Sequence, residues 1–248
     1  MTLSFRRPAP PLIALLAVLA TLAACNKPAT PPAPAQTKAA TTPAPASSIA
    51  WREGDVDDAF AEARESGKPI LLYWGAAWCP PCNRLKATLF KDPTFIARTQ
   101  QFVAVHLDGD SEGAQAWGER FGIKGYPTII VLRPDRSEIT RLAGDADNAR
   151  LADVLRVAAK STSTARQLLD TALQTPQRLS ADDWAVLGNY AWGSDDRLVK
   201  PEQAVDVLTR LSRSAPQPAL QRSFALAAIT AAKEPPAASA TSRTLLEA

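Results

Sequence analysis

The chain has 248 residues, 46% of them apolar and 21% charged, with 28 Lys and Arg against 25 Asp and Glu and a single His. A chain of this length can form one large domain or two small ones, and its apolar content is ample for a buried core. The net charge of +3, to which Arg6 and Arg7 contribute, leaves the rest of the chain near neutral and argues against a nucleic-acid binder or a polybasic membrane-surface protein.

Residues 1–24 read as an export signal. Arg6 and Arg7 precede an apolar run at 12–22, and small residues lead up to Cys25. The run is shorter than the roughly 20 residues that a membrane-spanning helix needs. The sequence LAAC at 22–25 resembles the lipobox of bacterial lipoproteins. That likeness implies that Cys25 is lipidated, becomes the first mature residue, and anchors the chain on the periplasmic side of a bacterial membrane. Asn26 stands where an aspartate favours inner-membrane retention in enterobacterial lipoproteins, so the likeness points to the outer membrane. Lipidation would leave Cys79 and Cys82 as the remaining thiols of the three. Residues 25–49 then read as a linker, with six prolines between 26 and 48 and only Lys27 and Lys38 as charges. Such a composition buries too little apolar surface to fold and acts as a semi-rigid tether.

From residue 50 the pattern alternates between helix and strand. Asp55 is placed to cap a helix on which Val56, Phe60 and Ala63 share a face, and Gly67 ends it. The apolar run 70–74 has strand length, and a helical stretch carrying Leu85 and Leu89 follows the cysteines. Asp92-Pro93 opens a short helix, because an aspartate cap followed by proline at the first helical position is favourable. Residues 102–107 predict a strand, 112–121 a helix, 128–132 and 138–142 two strands about the turn RPDRS, and 147–160 a helix. This order predicts a domain over 50–160 of the α/β class, with a central mixed sheet flanked by helices. Beyond it, apolar residues recur at helical spacing, as at Leu168, Leu169 and Leu173, and at Val205, Leu208 and Leu211. Residues 161–248 therefore read as an all-helical extension.

The motif Trp78-Cys79-Pro80-Pro81-Cys82 stands between a predicted strand and a predicted helix and admits four readings. Zinc takes about four ligands, and beyond this pair the chain offers only His106 and carboxylates, so no metal is expected. Haem attachment needs a histidine after the second cysteine, where Asn83 stands. A purely structural disulfide across so short a loop would restrict the unfolded chain very little. A redox pair needs a strand, a short exposed turn and a helix beginning at the first cysteine. There the unpaired amides and the helix dipole stabilise the Cys79 thiolate, and Pro81 suits the first turn. On that reading Cys79 is the exposed nucleophile, and the more buried Cys82, one turn on, resolves the mixed disulfide. No cofactor beyond this disulfide is called for.

Trp78-Cys79-Pro80-Pro81-Cys82 is similar to the active-site motif of the thioredoxin superfamily, and Gly125-Tyr126-Pro127-Thr128 is similar to that family's cis-proline loop. The resemblance spans about 49–160 and implies the thioredoxin-like fold. It also implies that Pro127 is cis and faces the disulfide, that the backbone of Tyr126 pairs with substrate, and that Trp78, Pro80 and Pro81 support the site. GKPILLYWGAAWC and LFKDPTFIA are similar to periplasmic thioredoxin-like domains, including the C-terminal domain of the membrane thiol:disulfide reductase. Two positions depart from the family. Tyr73 stands in place of a buried aspartate and Ala104 in place of a lysine, which leaves deprotonation of Cys82 to water or to His106.

The expectation is a membrane-tethered thiol–disulfide oxidoreductase that reduces exported proteins, with a membrane thiol reductase as electron donor. A different class of function is a chaperone-like or assembly module in which residues 161–248 hold a client. Thiol reduction for cytochrome c maturation is a narrower enzymatic alternative.

Overall fold

A computed structural model describes residues 47–54, 56–144 and 147–232. The leader, Cys25, the linker up to residue 46 and the expected cap Asp55 lie outside the described residues.

Five strands make one sheet in the order β1-β3-β2-β4-β5: β1 (Arg52–Glu53), β2 (Ile70–Gly75), β3 (Val103–Asp108), β4 (Thr128–Leu132) and β5 (Glu138–Ala143). β1 and β2 run parallel to β3, while β4 is antiparallel to β2 and β5 to β4. Every residue of β2 and β4 is buried, as expected of strands covered on both faces. The two-residue period of β2 sends Leu71 and Tyr73 to one side of the sheet and Ile70, Leu72 and Trp74 to the other. The first side is covered by α2 (Pro80–Ala87), α3 (Pro93–Thr99) and α5 (Asn148–Ala158); the second is covered by α1 (Val56–Ser66) and α4 (Glu112–Phe121). The mixed sheet between two helical layers is the expected α/β architecture.

Local chemistry sets the helix ends. Asp92 accepts from Phe95 N–H at 2.8 Å with Pro93 in the first turn, and Ser111 accepts from Ala114 N–H. Gly122, left-handed at φ +63°, terminates α4, a conformation that glycine adopts without the Cβ penalty.

Four helices follow: α6 (Ala165–Gln174), α7 (Ala181–Asn189), α8 (Pro201–Ser214) and α9 (Pro218–Ala231). Capping boxes start α6 (Thr164 with Gln167) and α7 (Ser180 with Asp183). Their core gathers Leu168, Leu169, Trp184, Leu187, Leu208, Leu211 and Phe224, and takes in Val157 from α5. The helices and the sheet belong to one compact unit. Among the described residues no helix is long and apolar enough to cross a membrane.

Candidate active site

β2 ends at Gly75, and Ala76, Ala77 and Trp78 carry the chain to Cys79, the N-cap of α2. Pro80 and Pro81 occupy the first turn, where a missing amide hydrogen costs little, so two prolines open a helix they would break further in. Cys79 is disulfide-bonded to Cys82, with the Cα atoms 5.3 Å apart. The Cys79 sulfur also accepts the Cys82 N–H at 3.3 Å, and the Asn83 amide donates to the Ala77 carbonyl at 2.8 Å, which fastens the turn to the helix.

The expected exposure of Cys79 needs correction. In this disulfide form Cys79 is 2% exposed and Cys82 wholly buried. Cys79 turns its sulfur inward to Cys82 and packs with Ala76 and the ring of Tyr126. Trp78, 66% exposed, and Pro80 are the outward members of the motif. The Trp78 indole N–H lies 3.0 Å from both carboxylate oxygens of Asp110, and its ring centroid lies 6.1 Å from that of Tyr126.

The loop 125–128 arrives from the end of α4. The Tyr126–Pro127 peptide bond is cis, and Tyr126 is the partly buried residue packed on the cystine. The Tyr126 hydroxyl donates to the Gly109 carbonyl at 3.0 Å. A Cβ on Gly109 would stand 2.3 Å from the Tyr126 ring, so the close approach depends on glycine there. Burial first, then the charges of Asp110 and Asp108, push the Tyr126 hydroxyl above its ordinary range. Asp110 escapes a reading based on cysteines and prolines. Its signal in the sequence is the Asp108-Gly109-Asp110 turn at the carboxyl end of β3, beside the motif.

Beneath the site, Tyr73 and His106 are cross-strand neighbours whose rings stack with centroids 5.3 Å apart, and Trp51 and Phe90 complete the aromatic cluster. The Tyr73 hydroxyl reaches back over Gly75, where a Cβ would come within 2.4 Å of it. That hydroxyl is buried and takes part in no hydrogen bond, and burial pushes it up to about 12, so it is neutral near pH 7. His106 Nδ1 meets Glu53 Oε2 at 2.7 Å, while its buried Nε2 has no hydrogen-bond partner. Ala104 is buried on the same side as Tyr73. The positions at which the family has an aspartate and a lysine therefore hold an aromatic and a methyl group in an apolar layer.

The arrangement brings Cys79, Cys82, Trp78, Pro80, Pro81, Tyr126 and Pro127 into one region, and Cys25 lies outside the described residues. Chemically it offers a cystine at a helix N-terminus with an aromatic and a proline loop against it. Among the described residues no three His, Cys, Asp or Glu side chains converge on a point that could hold a metal ion.

Residues 50–134 match a family model described as thioredoxin-like. The thiol:disulfide interchange protein DsbD 1 of Pseudomonas aeruginosa is 36% identical over 108 residues, which cover 42% of this chain and 18% of that protein. The thioredoxin of Alicyclobacillus acidocaldarius is 30% identical over 103 residues, covering 40% of this chain and 94% of that one. Among solved structures, a thioredoxin from Thermus thermophilus aligns with a TM-score of 0.40 at 25% identity, over 44% of this chain and 86% of that one. The chain thus spans less than a fifth of the Pseudomonas protein and nearly all of the Alicyclobacillus one.

Proposed function

This chain belongs to the thioredoxin superfamily, and from that premise we propose that it is a thiol–disulfide oxidoreductase that reduces disulfides of exported proteins. The observation that carries the reading is the Cys79–Cys82 disulfide at the N-terminus of α2 with Tyr126 of the cis-proline loop packed on it.

In the reduced protein the Cys79 thiolate attacks one sulfur of a client disulfide, forming a mixed disulfide and expelling the other client sulfur as a thiolate. Cys82 then loses its proton and attacks the Cys79 sulfur. The second client thiolate leaves, and the Cys79–Cys82 disulfide forms with two electrons passed to the client. The open first turn of α2 and its dipole hold the Cys79 thiolate at low energy. Trp78 and Tyr126 form the outer surface that meets the client, and Tyr126 offers its backbone to the client strand. Tyr73 is neutral, so Cys82 gives its proton to water. Regeneration needs a dithiol donor, for which the class is a membrane thiol reductase.

The organisation read from the sequence belongs to the same proposal: a leader over 1–24, lipidated Cys25 and a linker to 49, the redox domain over 50–160, and a helical extension over 161–248. The setting is the periplasmic side of a bacterial membrane, the outer membrane preferred. Equilibration of Cys79–Cys82 with glutathione tests the direction. A reductant comes to rest near the thioredoxin end of the family's span, about −270 mV, and a value near −120 mV would reverse the assignment.

A further inference from the structure

Lys124 lines an open groove of about 530 Å³ beside the cystine, together with Trp78, Gln115, Glu119, Ile123 and Tyr126. Its ammonium is held from outside the redox domain. Nζ donates to Asp196 Oδ1 at 2.7 Å and to the Gly193 carbonyl at 3.4 Å, both in the segment 190–197 that joins α7 to α8. The same segment grips the turn that leads from α4 into the cis-proline loop. Arg197 Nη1 donates to the Arg120 carbonyl at 3.1 Å. Arg141, wholly buried on β5, donates to the carbonyls of Phe121 at 2.7 Å and Ser194 at 3.0 Å, and its own carbonyl accepts from Ala191 N–H at 2.9 Å. The last carbonyls of a helix lack partners within it, so these two arginines complete the end of α4.

The charges close on themselves. Glu138 accepts from Arg141 Nε and Arg197 Nη2, both at 2.9 Å, and Asp195 accepts from Arg197 Nε at 3.0 Å. The Tyr190 hydroxyl lies 2.7 Å from Asp195 and 2.8 Å from Glu138. Bidentate and charge-assisted bonds of this kind fix geometry as well as adding energy. The turn 120–124, three residues before Pro127, is therefore held by Arg141 of the redox domain together with Asp196, Arg197 and the Gly193 carbonyl of the helical extension.

Building on the oxidoreductase reading, we propose that the segment 190–197 is a positioning clamp. Through Asp196 on Lys124 and Arg197 on the end of α4, it sets the wall of the groove that receives protein clients. The clamp bonds described above end on 120–124, Glu138 and Arg141 and do not involve α2, so they leave the helix N-terminus at Cys79 unchanged. Loosening them is felt by a bulky client that must lie along the groove and not by a small disulfide that needs only the sulfur. The helical extension is thus a determinant of client engagement built into the redox domain.

The test compares wild type, Asp196→Ala, Asp196→Glu and Arg197→Ala, each checked for wild-type circular dichroism, with dithiothreitol as donor and either insulin or hydroxyethyl disulfide as substrate. The Lys124–Asp196 pair is half-exposed, and pairs of this kind are weak, so Asp196→Ala is expected to raise KM for insulin about two- to fivefold. The kcat, the Cys79–Cys82 potential and the rate with hydroxyethyl disulfide should stay unchanged. Asp196→Glu restores KM, and Arg197→Ala raises it further. An insulin KM unmoved in both alanine variants, equal slowing on both substrates, or a glutamate that fails to restore KM would each overturn the clamp. A wild-type chain that reduces neither substrate would instead overturn the oxidoreductase reading, and the clamp with it.

Discussion

At the scale of single residues, the cystine and the proline loop were legible in the sequence because short motifs with fixed backbone demands carry them: two prolines at a helix start, and Gly-Tyr-Pro before a strand. The replacement of the family's acid by Tyr73 was legible too, but its surroundings were not, since stacking on His106 and the contact with Gly75 depend on pairing between strands. The burial of Cys79 also escaped the motif, because it depends on the Tyr126 ring arriving from 47 residues away. Tyr73 yields a sharp prediction. Its hydroxyl is buried without a partner, so Tyr73→Phe should cost nothing at pH 7 and gain about 1 kcal/mol in urea unfolding. A loss above about 1 kcal/mol would reveal a partner for the hydroxyl. The pH dependence has a definite sign. Burial raises the folded group from 10.0 to about 12, so the unfolded tyrosine ionises first. The contribution of Tyr73 is therefore intact below pH 10 and is lost as pH rises towards 12, by up to about 3 kcal/mol in all. In that window wild type should fall more steeply than Tyr73→Phe.

At the scale of elements, strands and helices with strong periodicity or caps were readable, whereas β1 was not: Arg52–Glu53 carries no apolar pattern and is a strand only because β3 offers it an edge. β5 conceals more, since a sequence pattern assigns an arginine in a strand to solvent. Arg141 is instead completely buried, with Glu138, Asp195 and the carbonyls of Phe121 and Ser194 around it. Burial alone would push the Asp195 carboxyl up, but the Tyr190 hydroxyl, Arg141 and Arg197 outweigh it and hold the group below its ordinary value. Its contribution is therefore present above the usual carboxylate range and fades as pH falls through it. Removing the cation leaves two acids without their buried partner. Arg141→Ala should cost about 3–5 kcal/mol in denaturant unfolding. A loss below about 1 kcal/mol would mean that the network does not join β5 to the helices.

At the scale of the whole molecule, the division into a redox region and a helical region could be read from the end of strand patterning near residue 160. That the two share one compact unit could not, because their joint combines the burial of Val157 in the helical core with polar contacts scattered over the end of α4, Lys124, β5 and the segment 190–197. The anchor has its own expected outcome: Cys25→Ala should move the protein from the membrane to the soluble fraction, and unchanged membrane retention would contradict lipidation at Cys25. The central claim is that Cys79 and Cys82 form a working dithiol couple in which Cys79 attacks. It is tested most directly by trapping on insulin, with Cys82→Ala and Cys79→Ala compared after reduction and removal of reductant. Cys82→Ala should accumulate a mixed disulfide with insulin that dithiothreitol dissolves, and Cys79→Ala should accumulate none. Equal trapping by both variants, or trapping by neither, would contradict the account.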